Sequence, residues 1–220
     1  MRIFFKDRSD AGRQLAESLR RFAGTDPVVL ALPRGGVPVA FEVAKTLAAP
    51  LDVLLVRKIG APGQEELALG AVVDGTNPET VINDEVVRLA APPPGYIEAE
   101  TKRQLDEIER RRQLYRGNEP ALDVKGHTAI VIDDGIATGA TVKAALSGIA
   151  RSKPQYLVLA VPVAPSETLD ELAGYCNEIV CLHSPDPFYA VGVHYVDFSQ
   201  TSDEEVIGIL AESRANASTG

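Results

Sequence analysis

The stretch Val131-Ile132-Asp133-Asp134-Gly135-Ile136-Ala137-Thr138-Gly139-Ala140-Thr141 joins an apolar strand, two adjacent carboxylates and a loop of small residues that opens a helix. The strand reads from Thr128 to Ile132 and the helix from Thr138 to Arg151. A strand feeding a helix through a glycine loop belongs to an α/β sheet, and such sheets gather ligands at the carboxyl ends of their strands. Between Gly135 and Thr141 the small side chains let backbone amides approach an anion. Thr138 and Thr141 add hydroxyls, and the following helix directs its positive end there. Carboxylates repel phosphate, so Asp133 and Asp134 require sugar hydroxyls or a hard metal ion. A phosphorylated sugar meets both demands.

Working outward, the same alternation recurs. Apolar positions Ala11, Leu15, Leu19 and Phe22 give a helix over Ser9 to Arg21, and Gly24-Thr25-Asp26-Pro27 ends it before the strand Val28 to Ala31. A helix from Val37 to Leu47 leads to a second strand, Leu51 to Val56. Beyond the central motif come strands Tyr156 to Val161 and Glu178 to Leu182, with a helix from Ser166 to Gly174 between them. This pattern predicts an α/β fold with a mostly parallel central sheet flanked by helices.

An excursion of about seventy residues separates the second and third strands, too long to lack structure of its own. Ala68 to Asp74 and Thr80 to Asn83 read as short strands joined by Gly75-Thr76-Asn77-Pro78, and Ala91-Pro92-Pro93-Pro94-Gly95 precedes a charged helix, Tyr96 to Arg116. Within that helix Arg110-Arg111-Arg112 is either a solvated face or an anion contact near the site. The expected division is one domain over 1–220, with core segments near 24–60 and 126–183, an insertion near 61–125, a small C-terminal hood near 184–200, and a frayed tail from Glu212.

Bulk properties narrow the partners. A net charge of -9 opposes the attraction that dominates nucleic-acid binding, and no apolar run is long enough to span a membrane. The expectation is a soluble cytoplasmic protein without a nucleic-acid or membrane partner. Cys176 and Cys181 fit no metal or redox spacing and read as buried thiols.

The acidic pair followed by Thr-Gly-Ala-Thr resembles the ribose-phosphate signature of the type I phosphoribosyltransferases. The resemblance implies that fold and magnesium-dependent transfer of the phosphoribosyl group from 5-phosphoribosyl-1-pyrophosphate (PRPP) to a nitrogen heterocycle. It implies that Asp133 and Asp134 hold the ribose hydroxyls or Mg2+, directly or through water. Gly135, Ala137, Thr138, Gly139, Ala140 and Thr141 would hold the 5-phosphate. Leu32-Pro33-Arg34-Gly35-Gly36-Val37 is a second strand, glycine turn and helix, and it resembles the family's pyrophosphate loop. Arg34, Gly35, Gly36 and Lys58 would bind pyrophosphate, and a cis peptide, frequent in relatives, would correspond to Pro33-Arg34. Arg57-Lys58-Ile59-Gly60 is reminiscent of adenine-type enzymes. Arg57 and Lys58 are expected to neutralise the departing pyrophosphate, beside a lid from Gly60 to Glu66. Arg34, Arg57, Lys58, Asp133 and Asp134 are thus the expected catalytic set. The whole sequence resembles stand-alone bacterial members of the family, whose acceptor the motifs leave unnamed.

On the acceptor side, Phe188, Tyr189 and Ala190 occupy the position of a base-recognising hood. The aromatics either stack on a heterocycle or close the core, and His194 reads as structural. Two departures count against guanine or hypoxanthine: Ala137 stands where 6-oxopurine enzymes carry an acid, and Ala160-Val161-Pro162-Val163 lacks their base-reading lysine. A PRPP- or nucleotide-binding regulator without turnover and a metal-dependent hydrolase remain as rivals, the latter lacking the usual histidine ligands. A homodimer is left open.

Overall fold

The structure is a computed structural model that describes residues 3–76 and 78–217, apart from the side chains of 65, 66 and 217. Along the chain, α1 (Arg8–Leu19), β1 (Pro27–Ala31), α2 (Gly36–Leu47) and β2 (Leu51–Val53) form the first half of the core. The excursion supplies β3 (Val56–Ala61), β4 (Gln64–Val73), β5 (Glu79–Ile82), α3 (Asp84–Ala90) and α4 (Tyr96–Arg116). The second half adds β6 (Thr128–Ile132), α5 (Ala140–Arg151), β7 (Tyr156–Val163), α6 (Ser166–Leu172), β8 (Glu178–His183) and α7 (Asp203–Ala217).

Five strands make a parallel sheet in the order β2-β1-β6-β7-β8, and β3-β4-β5 form a separate antiparallel sheet. Every residue of β1 and β6 is buried, because helices cover both faces of the parallel sheet. Alternate residues divide between two cores. Val29, Ala31, Ile130 and Ile132 join α1, α2 and α7, whereas Val28, Leu30, Ala129 and Val131 join α5 and α6. From β1 the chain crosses to β2 on one side, while β6 lies on the other. Their carboxyl ends therefore flank the switch point where such sheets open a ligand crevice.

Three expectations change. The run Leu51 to Val56 is not one strand: β2 ends at Val53, and the chain turns through Leu54 and Leu55 into β3 of the other sheet. Leu54 fills one core and Leu55 the other, so both are buried and the apolar run conceals the break. The region after Ile82 holds α3, capped by Asn83 Oδ1, which accepts from Val86 N at 3.2 Å. The tail from Glu212 continues α7 as far as Ala217, with Val206 and Leu210 of that helix in the core; 218–220 lie outside the described residues, as does Asn77 of the expected turn. Ser202 and Glu205 cap α7 reciprocally, Ser202 N donating to Glu205 Oε2 at 2.7 Å and Glu205 N to Ser202 Oγ at 3.1 Å.

A buried ion cluster fastens the excursion to the core. Arg116 at the end of α4 donates to Asp52 Oδ1 and Asp74 Oδ2, each at 2.7 Å, and to the carbonyl of Val53 at 2.5 Å. Burial pushes the Asp74 carboxyl above its usual range despite Arg116 beside it. The N-terminal segment also meets the hood: the Phe4 and Phe5 amides donate to the His194 carbonyl, and Val196 N donates to the Phe5 carbonyl at 2.9 Å. The hood is therefore built from the N-terminal segment as well as from residues after β8.

Candidate functional site

Two strand-to-helix loops lie side by side at the switch point. Leu32 N donates to the Ile132 carbonyl at 2.8 Å, extending the pairing of β1 and β6 to the lip of the crevice. The loop after β1 carries a cis Pro33–Arg34 bond, as expected, and passes through Gly35 and Gly36 into α2. These glycines are needed for close approach: a Cβ on Gly35 would lie 2.0 Å from Asp134 Oδ2, and one on Gly36 would lie 2.7 Å from the Ile132 carbonyl oxygen. The structure thus brings Gly35 and Gly36 against Asp134 and Asp133, while the Arg34 side chain reaches toward Asp203.

The acidic pair is held asymmetrically. Asp133 Oδ1 accepts from Asp134 N at 2.9 Å. Asp134 Oδ2 accepts from Arg8 Nε at 2.7 Å, and its carbonyl accepts from the Tyr195 hydroxyl at 2.5 Å. Arg8 in turn donates from Nη1 to the Ser199 carbonyl at 2.6 Å and lies 4.0 Å above the Phe198 ring. Burial and the neighbouring Asp134 push the Asp133 carboxyl well above the usual range. Burial raises Asp134 too, against the pull of Arg8. Arg8 was absent from the sequence reading. It stands 126 residues from Asp134, and its position after a helix cap carries no sign of that partner.

Past the carboxylates, Ile136 plugs the core and Ile136 N donates to the Val163 carbonyl at 3.0 Å, while Ala137, Thr138, Ala140 and Thr141 stay exposed. Gly139 caps α5 at φ 72°, where a Cβ would also meet Thr168 Cγ2 at 2.8 Å. The loop therefore presents small groups at a helix N-terminus, a geometry suited to an anion. A cleft of about 620 Å3 opens in front of it, lined by Thr138 to Thr141, Lys58, Lys143 and the exposed face of β4 and β5. Asp133, Asp134, Arg34 and the hood aromatics do not line this cleft.

The expected cations separate. Arg57 and Lys58 are consecutive on β3 and so point to opposite faces. Lys58 lines the large cleft, whereas Arg57 Nε donates to Gln104 Oε1 of α4 at 3.0 Å. The turn at Leu54-Leu55 carries these residues into β3, where alternation sends Lys58 to the cleft side and Arg57 toward α4. Gly60 to Glu66 is the tip of the β3–β4 hairpin, and the side chains of 65 and 66 lie outside the described residues. Arg34 is a third exposed, with Nη1 3.9 Å from Asp203 Oδ1. The Tyr115 hydroxyl donates to the same carboxylate oxygen at 2.5 Å, and burial together with that bond pushes the phenol up to about 12.

In the hood, Phe188 packs with His194, ring centroids 5.7 Å apart, and joins the apolar cluster of Phe5, Val163 and Tyr195. Tyr189 is 69% exposed, and Ala190 is exposed beside it. His194 is buried and stacks on Phe4, a structural setting as expected. Cys176 and Cys181 are unpaired by disulfide, and burial pushes both thiols up. Among the described residues no three His, Cys, Asp or Glu side chains form a metal cluster, and no helix is long and apolar enough to cross a membrane. Two adjacent carboxylates do suit Mg2+, a hard ion that typically takes one or two carboxylates and completes its shell with water and substrate oxygens.

Comparison with known proteins places this geometry. Residues 6–197 match the family model described as phosphoribosyl transferase domain. The chain is 50% identical over 206 residues to a Mycobacterium tuberculosis protein named "Putative phosphoribosyl transferase", found in two strains, covering 94% of this chain and 46% of the relative. It thus spans about half the length of those curated relatives. The crystal structure of TT1426 from Thermus thermophilus is similar throughout, with a TM-score of 0.84 and 46% identity over 96% of this chain and 99% of that one.

Proposed function

Since the chain belongs to the phosphoribosyl transferase domain family, we propose that it transfers the 5-phosphoribosyl group of PRPP to a nitrogen heterocycle. The observation that carries this reading is the apposition of two glycine loops at the switch point, where Gly35 backs directly onto Asp134. One loop is suited to a diphosphate and the other to a sugar phosphate, so a single ligand carrying both groups fits them together. We read residues 1–220 as one functional unit, with the hood over the acceptor, acting in the cytoplasm; pairing into a homodimer is compatible with this reading.

The bond between C1 of the ribose and the pyrophosphate oxygen breaks, a bond from the acceptor nitrogen to C1 forms, and the nitrogen releases its proton. Positive charge grows at C1 while negative charge grows on the leaving group. Asp133 and Asp134 hold the ribose hydroxyls, and the amides and hydroxyls from Gly135 to Thr141 hold the 5-phosphate. Arg34, Gly35 and Gly36 hold the pyrophosphate, with Arg57 and Lys58 adding positive charge from opposite faces of β3. Bound Mg2+ would neutralise charge on the donor's oxygens, held by Asp133 and Asp134 directly or through water. Catalysis then rests on positioning and electrostatics. Tyr189 supplies an exposed ring for stacking; Phe188 serves the core instead. Ala137 and Ala160 offer a 6-oxopurine neither an acid nor a cation, and a buried polar edge left unpaired costs about 1–3 kcal/mol.

The test measures pyrophosphate release from PRPP and Mg2+ across guanine, hypoxanthine, xanthine, adenine, orotate and uracil, with donor binding followed by calorimetry. Donor binding that is lost when Asp133 and Asp134 are both replaced by Asn supports the reading. Unchanged donor affinity in that double variant overturns it. Guanine or hypoxanthine turnover above about 10⁴ M⁻¹s⁻¹ overturns the specificity.

A further inference from the structure

The run Arg110-Arg111-Arg112 lies near the end of α4, and its three side chains have three different settings. Arg110 is 63% exposed and bonds Glu107, Nε to Oε2 at 2.8 Å. Arg112 turns toward the buried cluster, its Nε 3.5 Å from Asp74 Oδ1. Arg111 is 31% exposed, and with Arg57 it walls a cavity of about 40 Å3. The same cavity is bounded by Pro33 of the first glycine loop and by Thr141 of the second. Two cations therefore converge from β3 and α4 on the seam between the loops.

Both guanidinium groups are braced from α4. Arg57 Nε donates to Gln104 Oε1 at 3.0 Å, and Arg111 Nε donates to Glu107 Oε1 at 2.8 Å. Fixing each group by Nε aims its remaining N–H donors while leaving it charged, the arrangement that suits a multivalent oxyanion. Glu107 offsets the charge of Arg111, whereas the Gln104 amide that holds Arg57 is neutral, so the cavity keeps a net positive wall. A space of this size admits about one water or one anionic oxygen, not a whole diphosphate.

We infer that Arg111 of α4, together with Arg57, is a contact for a terminal oxygen of the diphosphate leaving group, entering the cavity between Pro33 and Thr141. This rests on the phosphoribosyl transfer proposed above and adds to it a residue from the long excursion. The diphosphate then lies along Arg34 to Gly36 with its outer oxygen reaching the Arg57–Arg111 pair. As the bond to C1 breaks, negative charge accumulates beside the cavity that these two residues line. The contact strengthens as charge develops, so its loss lowers kcat more than it raises the KM for PRPP.

The test is titration calorimetry of the full chain with inorganic pyrophosphate and Mg2+, and separately with ribose 5-phosphate, on Arg111→Met, Arg111→Lys and Arg110→Met. Arg110→Met is the control, since it removes the neighbouring cation of the same run and the same Glu107 partner. The expected result for Arg111→Met is about tenfold weaker pyrophosphate binding, near 1.4 kcal/mol, with ribose 5-phosphate unmoved. Arg111→Lys should recover part of the loss, and Arg110→Met should stay within about twofold of wild type on both ligands. Equal weakening by Arg110→Met and Arg111→Met means a diffuse field effect and overturns the contact, as does undiminished pyrophosphate binding in Arg111→Met. If Arg111→Met fails to fold, Arg111→Lys decides: pyrophosphate binding reduced with ribose 5-phosphate intact supports the contact, and both ligands bound as in wild type overturns it. A wild-type chain that binds neither ligand sinks the donor reading itself, an outcome distinct from failure of Arg111 alone.

Discussion

Replacing Gly35 by alanine should separate the site from the fold. Gly35 has φ -61° and ψ -34°, a conformation that alanine adopts readily, so the backbone gives no reason for glycine. The reason is the space beside it: the new Cβ would stand 2.0 Å from Asp134 Oδ2 and 2.6 Å from Asp134 Cγ, where ordinary contact begins near 3.4 Å. The carboxylate must retreat by more than an ångström, out of reach of the 2.7 Å bond from Arg8. Overpacking costs about 1–3 kcal/mol, and the low end applies because the obstacle is the tip of a side chain. In a chain of this length about 1 kcal/mol lowers the melting temperature by about 2–4 °C. A misplacement of about 1 Å at the reacting group costs about 10²-fold in rate. Gly35→Ala should therefore melt within a few degrees of wild type while kcat/KM for PRPP falls about a hundredfold. Arg8→Ala, which frees the same carboxylate without a clash, should weaken PRPP binding in the same direction. Calorimetry with PRPP and Mg2+, pyrophosphate release and a melting curve on each variant make the comparison. Donor affinity and turnover within twofold of wild type in Gly35→Ala would refute the reasoning, because Asp134 would then have no required position.

Two further outcomes follow from burial. Asp133 has a folded-state pKa raised by burial and by Asp134, so its ionised form is penalised above that pKa and the penalty vanishes below the unfolded value. Asp133→Asn should raise the melting temperature at pH 8, with the gain shrinking as the pH falls toward 4; a gain that does not change with pH would contradict this. Arg116→Met should cost about 3–5 kcal/mol in urea unfolding, since it strands the carboxylates of Asp52 and Asp74 inside the protein. A loss under about 1 kcal/mol would show that the cluster does not fasten α4 to the core.

The parts of the fold written in short-range chemistry were legible. Thr128 to Thr141 announces its strand, loop and helix because each step depends on neighbours within a few residues, and the helix Tyr96 to Arg116 was read to its observed bounds. Helix α7 was missed, although Ser202-Asp203-Glu204-Glu205 carries a capping signature whose bonds are present, because its apolar face is confined to scattered positions such as Val206 and Leu210. The break at Leu54-Leu55 was hidden for a different reason. A residue buried in one core looks the same in sequence as a residue buried in the next, so a change of sheet leaves no polar mark. That hidden turn also placed Arg57 and Lys58 within β3 rather than beyond the end of a strand, and inside a strand consecutive residues face apart.

The acidic pair shows where local reading ends. Its residue types reveal that it seeks hydroxyls or a hard cation, yet nothing nearby says how the carboxylates are aimed. That is decided by Arg8, which comes from the first helix and is pinned to Ser199 and Phe198, by Tyr195 donating to the Asp134 carbonyl, and by the absence of a Cβ at Gly35. Arg8 and Tyr195 can reach Asp134 because the N-terminal segment pairs with the hood, Phe5 with Tyr195. The N-terminal segment and the hood, each uninformative alone, thus meet to orient the carboxylate that the central motif supplies. A change at Phe4, Phe5 or Arg8 acts on Asp134 through this pairing, so the N-terminal segment belongs to the site although it carries none of the motif.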